Sequence, residues 1–327
     1  MPRILVAGAG GYIGSHMVLA LLEAGFDVVS LDNFSTGFRD AIAGGEIMEA
    51  DLADRAALNQ LFATHRFDAV MHFASSIQVR ESVADPAKYY RNNVANTLNL
   101  LDAMAAAAVS RFVFSSSAAV YGEPREIPIG EDHPCAPTNP YGRTKLVVEE
   151  MLEDFDRAYA LKSVSLRYFN AAGADPGGRL GERHSPETHL IPILLQAAAG
   201  KRGSASIYGR DYPTPDGTCI RDYIHVTDLC AAHLLALRQL LSAGGSRRYN
   251  LGNGRGFSVL EVIAAVRRVT GRELNVIDAP RRPGDPARLV ASSERIRKEL
   301  GWAPQCGELD RIVEDAWRWE CGGGITR

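Results

Sequence analysis

The sequence predicts an α/β protein in which a doubly wound parallel sheet is joined to a smaller α+β lobe. Three features carry that expectation. Short β-branched runs alternate with longer amphipathic segments through the first half, the first run ends in a glycine-rich turn, and the alternation stops after Phe169. At 327 residues the chain also exceeds the roughly 250–300 at which single cores stop growing, so two lobes are expected.

Residues 4–6, 28–31, 70–73, 112–114 and 164–166 read as strands, and residues 15–24, 55–64, 86–107 and 141–160 as helices. Strands and helices in alternation imply a parallel sheet covered on both faces, with ligands bound beyond the carboxyl ends of its strands. Gly- and Pro-rich stretches at 175–179 and 212–217 mark the second lobe. The division is therefore 1–169 and 170–327. Residues 222–251 are expected to return to the first sheet as strands at 223–225 and 249–251 around a helix at 227–241.

Composition excludes several classes of function. A net charge of -3 with scattered Lys and Arg offers no surface for nucleic acid or an anionic membrane. The five cysteines are widely spaced and form no CxxC, against both a disulfide framework and a zinc knuckle. Residues 2–8 read as a strand entering a glycine turn rather than a signal peptide, and no apolar run approaches the ~20 residues of a membrane helix. A cytoplasmic protein is expected.

The first turn, Gly8-Ala9-Gly10-Gly11-Tyr12-Ile13-Gly14, spaces its glycines as GxxGxxG and opens directly into a helix. Such glycines admit a tight turn and let backbone N–H groups approach a pyrophosphate at the positive end of the helix, the Rossmann-type arrangement; they also serve simply to pack helix on strand. Asp32 and Asn33 end the second strand, 18 residues past Gly14. An acid there takes the adenosine ribose hydroxyls and repels a 2′-phosphate, which favours NAD over NADP. Asp51 and Leu52 follow the next strand, where Asp51 either flanks the adenine or caps a helix.

Tyr141-Gly142-Arg143-Thr144-Lys145 puts a phenol and an ammonium on one helix face. A phenol of pKa ~10 must lose about three units, about 4 kcal/mol, to act as a base near neutrality. One ammonium about 4 Å away supplies roughly that at an effective dielectric of about 20. Upstream, Phe112-Val113-Phe114-Ser115-Ser116-Ser117 is a strand ending in hydroxyls at the crevice. Ser117 is placed to hold a sugar hydroxyl and share its proton with Tyr141; Ser115 reads as a helix cap or polar turn.

These residues resemble the extended short-chain dehydrogenase/reductase family, and within it the branch that inverts the C4 hydroxyl of UDP-hexoses. The resemblance rests on the runs at 8–14, 31–33, 92–94, 114–122, 140–145 and 167–173, and continues at 208–218, 221–226 and 279–285. It implies Tyr141 as base, Lys145 on the nicotinamide ribose and lowering the tyrosine pKa, and Ser117 on the sugar. Gly8, Gly11, Tyr12, Ile13, Gly14, Asp32, Asn33, Asp51, Leu52, Phe73, Ala74, Asn93 and Tyr168 line the NAD site by the same likeness. Asn170, His189, Leu190, Tyr208, Arg221, Arg282 and Asp285 hold a UDP-sugar, with the arginines on the diphosphate. Read without the family, Leu190 and Tyr208 are equally core residues, and Arg221 and Arg282 surface ion pairs.

The implied reaction is NAD-dependent interconversion of the C4 epimers through a 4-keto-hexose, with no metal. A homodimer built from helices around 93–107 and 145–157 is also implied. Leu289, four residues beyond Asp285, falls where the family gates the hexose C2 substituent, or else packs beneath the second lobe. Departures from the family pattern are Ala7 for Thr or Ser, Arg80 for Gly, and His189 for Asn. A nucleotide-sugar 4,6-dehydratase needs an Asp-Glu pair after the active-site hydroxyl, and here Ser117 is followed by Ala118-Ala119. A decarboxylase of the same family is disfavoured less firmly. A catalytically silent NAD sensor on the same fold need not keep Tyr141, Lys145 and Ser117.

Overall fold

The computed structural model describes residues 1–282 and 285–322. Its first half is β1 (Arg3–Ala7), α1 (Tyr12–Glu23), β2 (Asp27–Asp32), β3 (Glu46–Glu49), α2 (Arg55–Thr64), β4 (Ala69–His72), α3 (Val79–Ala84), α4 (Pro86–Tyr89) and α5 (Asn96–Ala106). There follow β5 (Arg111–Ser115), α6 (Pro140–Tyr159) and β6 (Lys162–Tyr168). β1, β4 and β5 are nearly continuous apolar runs because both faces are covered, as β5 shows with Phe112, Val113 and Phe114 all buried.

The second half contributes β7 (Asn170–Ala172), α7 (Leu190–Ala198), β8 (Ala205–Tyr208), β9 (Ile220–His225), α8 (Val226–Leu241) and β10 (Arg247–Leu251). It ends with β11 (Gly256–Ser258), α9 (Val259–Thr270), β12 (Val276–Ala279), β13 (Arg288–Leu289), α10 (Glu294–Leu300) and α11 (Leu309–Cys321).

Seven parallel strands form the main sheet in the order β10-β6-β5-β4-β1-β2-β3. One face packs on α1 and α8 through Met17, Leu21, Leu229 and Leu237, the other on α2, α5 and α6 through Leu58, Leu101 and Val148. Each such buried side chain contributes about 1.5–3 kcal/mol. A third core, with Ile191, Val262 and Ile312 at its centre, joins α7, α9 and α11 beneath the small sheets β11-β9-β13 and β12-β8.

Two expectations need correction. Residues 223–225 do not return to the main sheet, although α8 and β10 do: β9 pairs with β7, β11 and β13 instead. Tyr223 enters the third core while Ile224 enters the first, so the strand is apolar on both faces and its sequence does not say which sheet it joins. The helix expected at 86–107 is interrupted by a π-helical turn, Tyr90–Ala95, which brings Asn93 inward.

Candidate active site

β1 runs into Gly8, whose φ of +82° and crowding by Ala74 leave no room for a side chain. A Cβ on Gly14 would lie 2.0 Å from the Gly8 carbonyl oxygen, so α1 presses directly on the strand end. The helix starts after Gly11 with no side-chain cap and no acid in its first turn, leaving its N-terminal N–H groups available to an anion. Asp32 closes this cradle: one carboxylate oxygen accepts the Gly10 N–H and the other the Phe34 N–H, each at 2.8 Å. Spare lone pairs remain for a diol. The cradle fits a dinucleotide.

The neighbouring residues divide between lining and bracing. Asn33 donates to Asp51 at 2.7 Å, and Asp51 also accepts the Ala53 N–H, while the cap of α2 is Asp54. Leu52 is buried in the core beneath. Ile13 packs against the first core, as does Phe73, whose ring meets His233. The Tyr12 hydroxyl donates to the Gly173 carbonyl at 2.7 Å and ties α1 to the end of β7. Asn93 accepts from Ser76 N–H and donates to the Ser76 carbonyl and Thr144 hydroxyl, clamping the segment after β4 to α6.

Asn139 caps α6 by accepting the Gly142 N–H at 2.9 Å, and Pro140 occupies its first turn, so Tyr141 enters the helix at the mouth of the crevice. The ammonium of Lys145 donates to the Ser75 hydroxyl at 2.8 Å and the Ser115 carbonyl at 2.9 Å, and lies 5.9 Å from the centre of the Tyr141 ring. Burial drives its pKa down to about 7, with Glu149 opposing. Burial also raises the Tyr141 phenol, and the Ser117 hydroxyl beside it pulls it back. The ammonium is thus engaged with the strand end, and the Ser117 hydroxyl offsets part of the rise that burial imposes on the phenol.

Ser115 is not a cap: its hydroxyl is 2.5 Å from that of Tyr168 and its carbonyl receives Lys145. The capping role falls to Ser117, which accepts the Ala119 N–H and starts a 3-10 turn, Ala118–Tyr121.

On the opposite wall, β9 gathers several of the predicted residues. Asn170 donates to the Asp222 carbonyl, Arg221 pairs with Asp285, and Leu289 stands opposite Arg221 in the β13–β9 register. Arg282 stacks 3.9 Å from the centre of the Tyr208 ring, and Tyr208 is 38% exposed, so it is no core residue. Arg80, reaching from α3, is close enough to join Arg282 in lowering the Tyr208 phenol, Arg282 having the larger effect. His189 and Leu190 stand apart at the start of α7: Leu190 packs on the third core, and the hydrogen bonds of His189 go to Glu182 and Glu187. Pro283 and Gly284, within the run at 279–285, lie outside the described residues.

A model of the NAD dependent epimerase/dehydratase family matches residues 4–252. The chain belongs to this family. Among proteins similar to this epimerase/dehydratase member, the UDP-glucose 4-epimerase of Halalkalibacterium halodurans is 54% identical over 316 residues, covering 97% of this chain and 95% of that one. The crystal structure of UDP-glucose 4-epimerase from Brucella ovis in complex with NAD superposes with a TM-score of 0.95 at 49% identity, covering 97% of this chain and 98% of the other. The Bifidobacterium longum UDP-glucose 4-epimerase in complex with NAD+ and UDP gives 0.94 at 39% identity over 99% and 100% of the two chains.

Several residues of the site escape a motif search. Glu149 follows Lys145 by one helical turn, accepts the Ser116 hydroxyl at 2.5 Å and forms a buried pair with Arg167. Arg167 in turn donates to Tyr121, which donates to Asn250. The signal for Glu149 lies in the sequence, as the third member of a stripe at 141, 145 and 149. Ser75 carries no such signal, because only the fold brings it to Lys145.

Proposed function

We propose that the chain interconverts UDP-glucose and UDP-galactose through a 4-keto-hexose, with NAD as its resident cofactor. The observation that carries this reading is the Ser117–Tyr141–Lys145 constellation at the end of β5, facing the glycine cradle, in a chain similar over nearly its whole length to UDP-glucose 4-epimerases. Residues 1–169 with the returning 226–251 bind NAD, and the remainder binds the nucleotide sugar.

Gly8, Gly11, Tyr12, Ile13 and Gly14 receive the pyrophosphate, and Asp32 and Asn33 the adenosine ribose. Asp51 and Leu52 flank the adenine, while Phe73, Ala74, Asn93 and Tyr168 complete the wall. NAD held there would supply hydride acceptance and return at C4, and its positive ring would favour the phenolate. Tyr141 accepts the C4 hydroxyl proton directly or through Ser117 and later gives it back. Lys145, fixed by Ser75 and Ser115, holds the nicotinamide ribose. Arg221 and Arg282 grip the diphosphate, with Asp285 orienting Arg221 and Asn170, His189, Leu190 and Tyr208 around the nucleotide. The hexose turns about its diphosphate linkage, so that either face of C4 is reduced. Water elimination from C5 and C6 lacks its acid and base, since buried Ala118 and half-buried Ala119 occupy the positions after Ser117.

Among the described residues no helix is long and apolar enough to cross a membrane, in keeping with a cytoplasmic enzyme. Exposed Tyr90 and Leu98 on the helical stretch of α4 and α5 support a homodimer through that surface. The purified protein, offered a panel of UDP- and dTDP-sugars, should equilibrate UDP-glucose with UDP-galactose by NMR without added cofactor, and chemical reduction should bring up reduced-nicotinamide fluorescence. A 4-keto-6-deoxy product, or copurified NADP, would overturn the reading.

A further inference from the structure

The loop between β7 and α7 holds a second cluster, of which only His189 is among the residues proposed around the nucleotide. Glu182 and Glu187 have side chains only 5% and 4% exposed. Among the described residues neither pairs with Lys or Arg, for Arg183 between them turns to Asp40. Two imidazoles face them instead. His184 Nδ1 lies 3.1 Å from a Glu182 oxygen and 3.6 Å from a Glu187 oxygen; it is buried, yet makes no hydrogen bond of its own. His189 Nδ1 meets the same Glu182 oxygen and lies 3.7 Å from Glu187. The four donor atoms fall within 4.8 Å of one another.

Two carboxylates buried without a permanent cation are costly, and a divalent ion with two neutral imidazoles cancels their charge. Metal–ligand bonds of about 2.0–2.1 Å place tetrahedral donors about 3.4 Å apart. The cluster spans that spacing once His189 and Glu182 part slightly. One Glu187 oxygen is already held by the Thr188 and His189 N–H groups at 2.7 and 2.8 Å, which fixes the carboxylate as an outer shell does around a ligand. Two nitrogens and two oxygens suit Zn²⁺ or Co²⁺ better than the all-oxygen shells of Ca²⁺ and Mg²⁺.

We propose that Glu182, His184, Glu187 and His189 bind one divalent transition-metal ion of the zinc class, which cross-links the loop leading into α7. The sequence offers no sign of this site, whose ligands are spaced two, three and two residues apart in a loop. Its role is structural. Trp319 of α11 donates to the Glu182 carbonyl, and Arg183 reaches Asp40, so a cation here anchors a segment that touches both halves of the molecule. It also fixes the backbone that enters α7 at Leu190.

The full chain, stripped with a chelator and keeping its NAD, is titrated with Zn²⁺ and separately with Co²⁺. One equivalent should bind, raise the Tm, and give Co²⁺ the visible absorption of a four- or five-coordinate nitrogen–oxygen site. His184→Ala and Glu187→Gln should each weaken binding at least ~10-fold. Anomalous scattering from zinc-soaked crystals should place the ion among the four side chains, a readout that stands even where a variant fails to fold. Co²⁺ keeping its hexaaqua spectrum, folded variants binding as the unaltered chain does, or anomalous density elsewhere would each overturn the proposal.

Discussion

Glu149 and Arg167 form an ion pair with side chains 0% and 3% exposed, one helical turn beyond Lys145. The guanidinium reaches both carboxylate oxygens, at 3.0 and 3.2 Å from Nε, so the pair is bidentate as well as buried. Because Glu149 also accepts the Ser116 hydroxyl, the pair locks α6, β5 and β6 together beside Ser117 and Lys145, the proposed catalytic side chains. Removing Arg167 leaves the buried Glu149 with only the partly exposed Arg248, whose Nε lies 3.1 Å away, so the loss stays below the about 3–5 kcal/mol of a buried charge left with no partner. Arg167→Met should lower unfolding free energy by up to that amount in urea titrations. Arg3→Met, at the half-exposed pair with Asp27, should cost about 1 kcal/mol or less. Equal losses in the two variants would mean the buried pair is not a structural tie.

Tyr141→Phe should reduce kcat by about 10²–10⁴ with UDP-sugar affinity nearly unchanged, because the proposed role of the lost hydroxyl is on the proton and not on the nucleotide. Steady-state rates and calorimetric UDP binding check both halves. A variant that turns over normally would remove Tyr141 from the mechanism.

Lys145 gives the stability a pH dependence of definite sign. Burial depresses its pKa to about 7, against ~10.4 for an unfolded lysine. Between these values the unfolded chain binds the extra proton, so stability rises with pH across that window and is lost as pH falls through the folded value. For NAD-free protein, the stability of the unaltered chain relative to Lys145→Met should increase from pH 7 to pH 9. A margin that stays flat or shrinks over that range contradicts the depressed pKa.

Leu289 bears on sugar breadth. It packs against the cluster of Ala118, Val120, Tyr121 and Ile129, directly after Ser117, while its backbone pairs with Arg221. A side chain so placed stands between the turn after Ser117, proposed to face the sugar, and Arg221, proposed to grip the diphosphate. Native protein should prefer UDP-glucose and UDP-galactose and act weakly on the N-acetylated pair. Leu289→Tyr should abolish only the weak activity, since overfilling a packed site costs ~1–3 kcal/mol, roughly 5- to 150-fold. Equal losses on both pairs would show that Leu289 is not the gate.

Much of this was legible in the residues alone. Periodicity over a few residues marks β1, β2, β4, β5, β6 and the long α6, because a strand buried on both faces or an amphipathic helix declares itself locally. The glycine turn and the Tyr141–Lys145 spacing are local for the same reason: Gly8 and Gly14 answer contacts within one βα turn, and side chains four apart share a helix face. Tertiary structure alone decided that β9 joins the second lobe, since its two faces feed different cores. It decided too that Lys145 bonds Ser75, 70 residues away, and that among the described residues Glu182 and Glu187 face no cation but histidine. These outcomes depend on which distant groups compete for a buried charge or hydrogen bond, and that competition is settled only when the chain has closed around it.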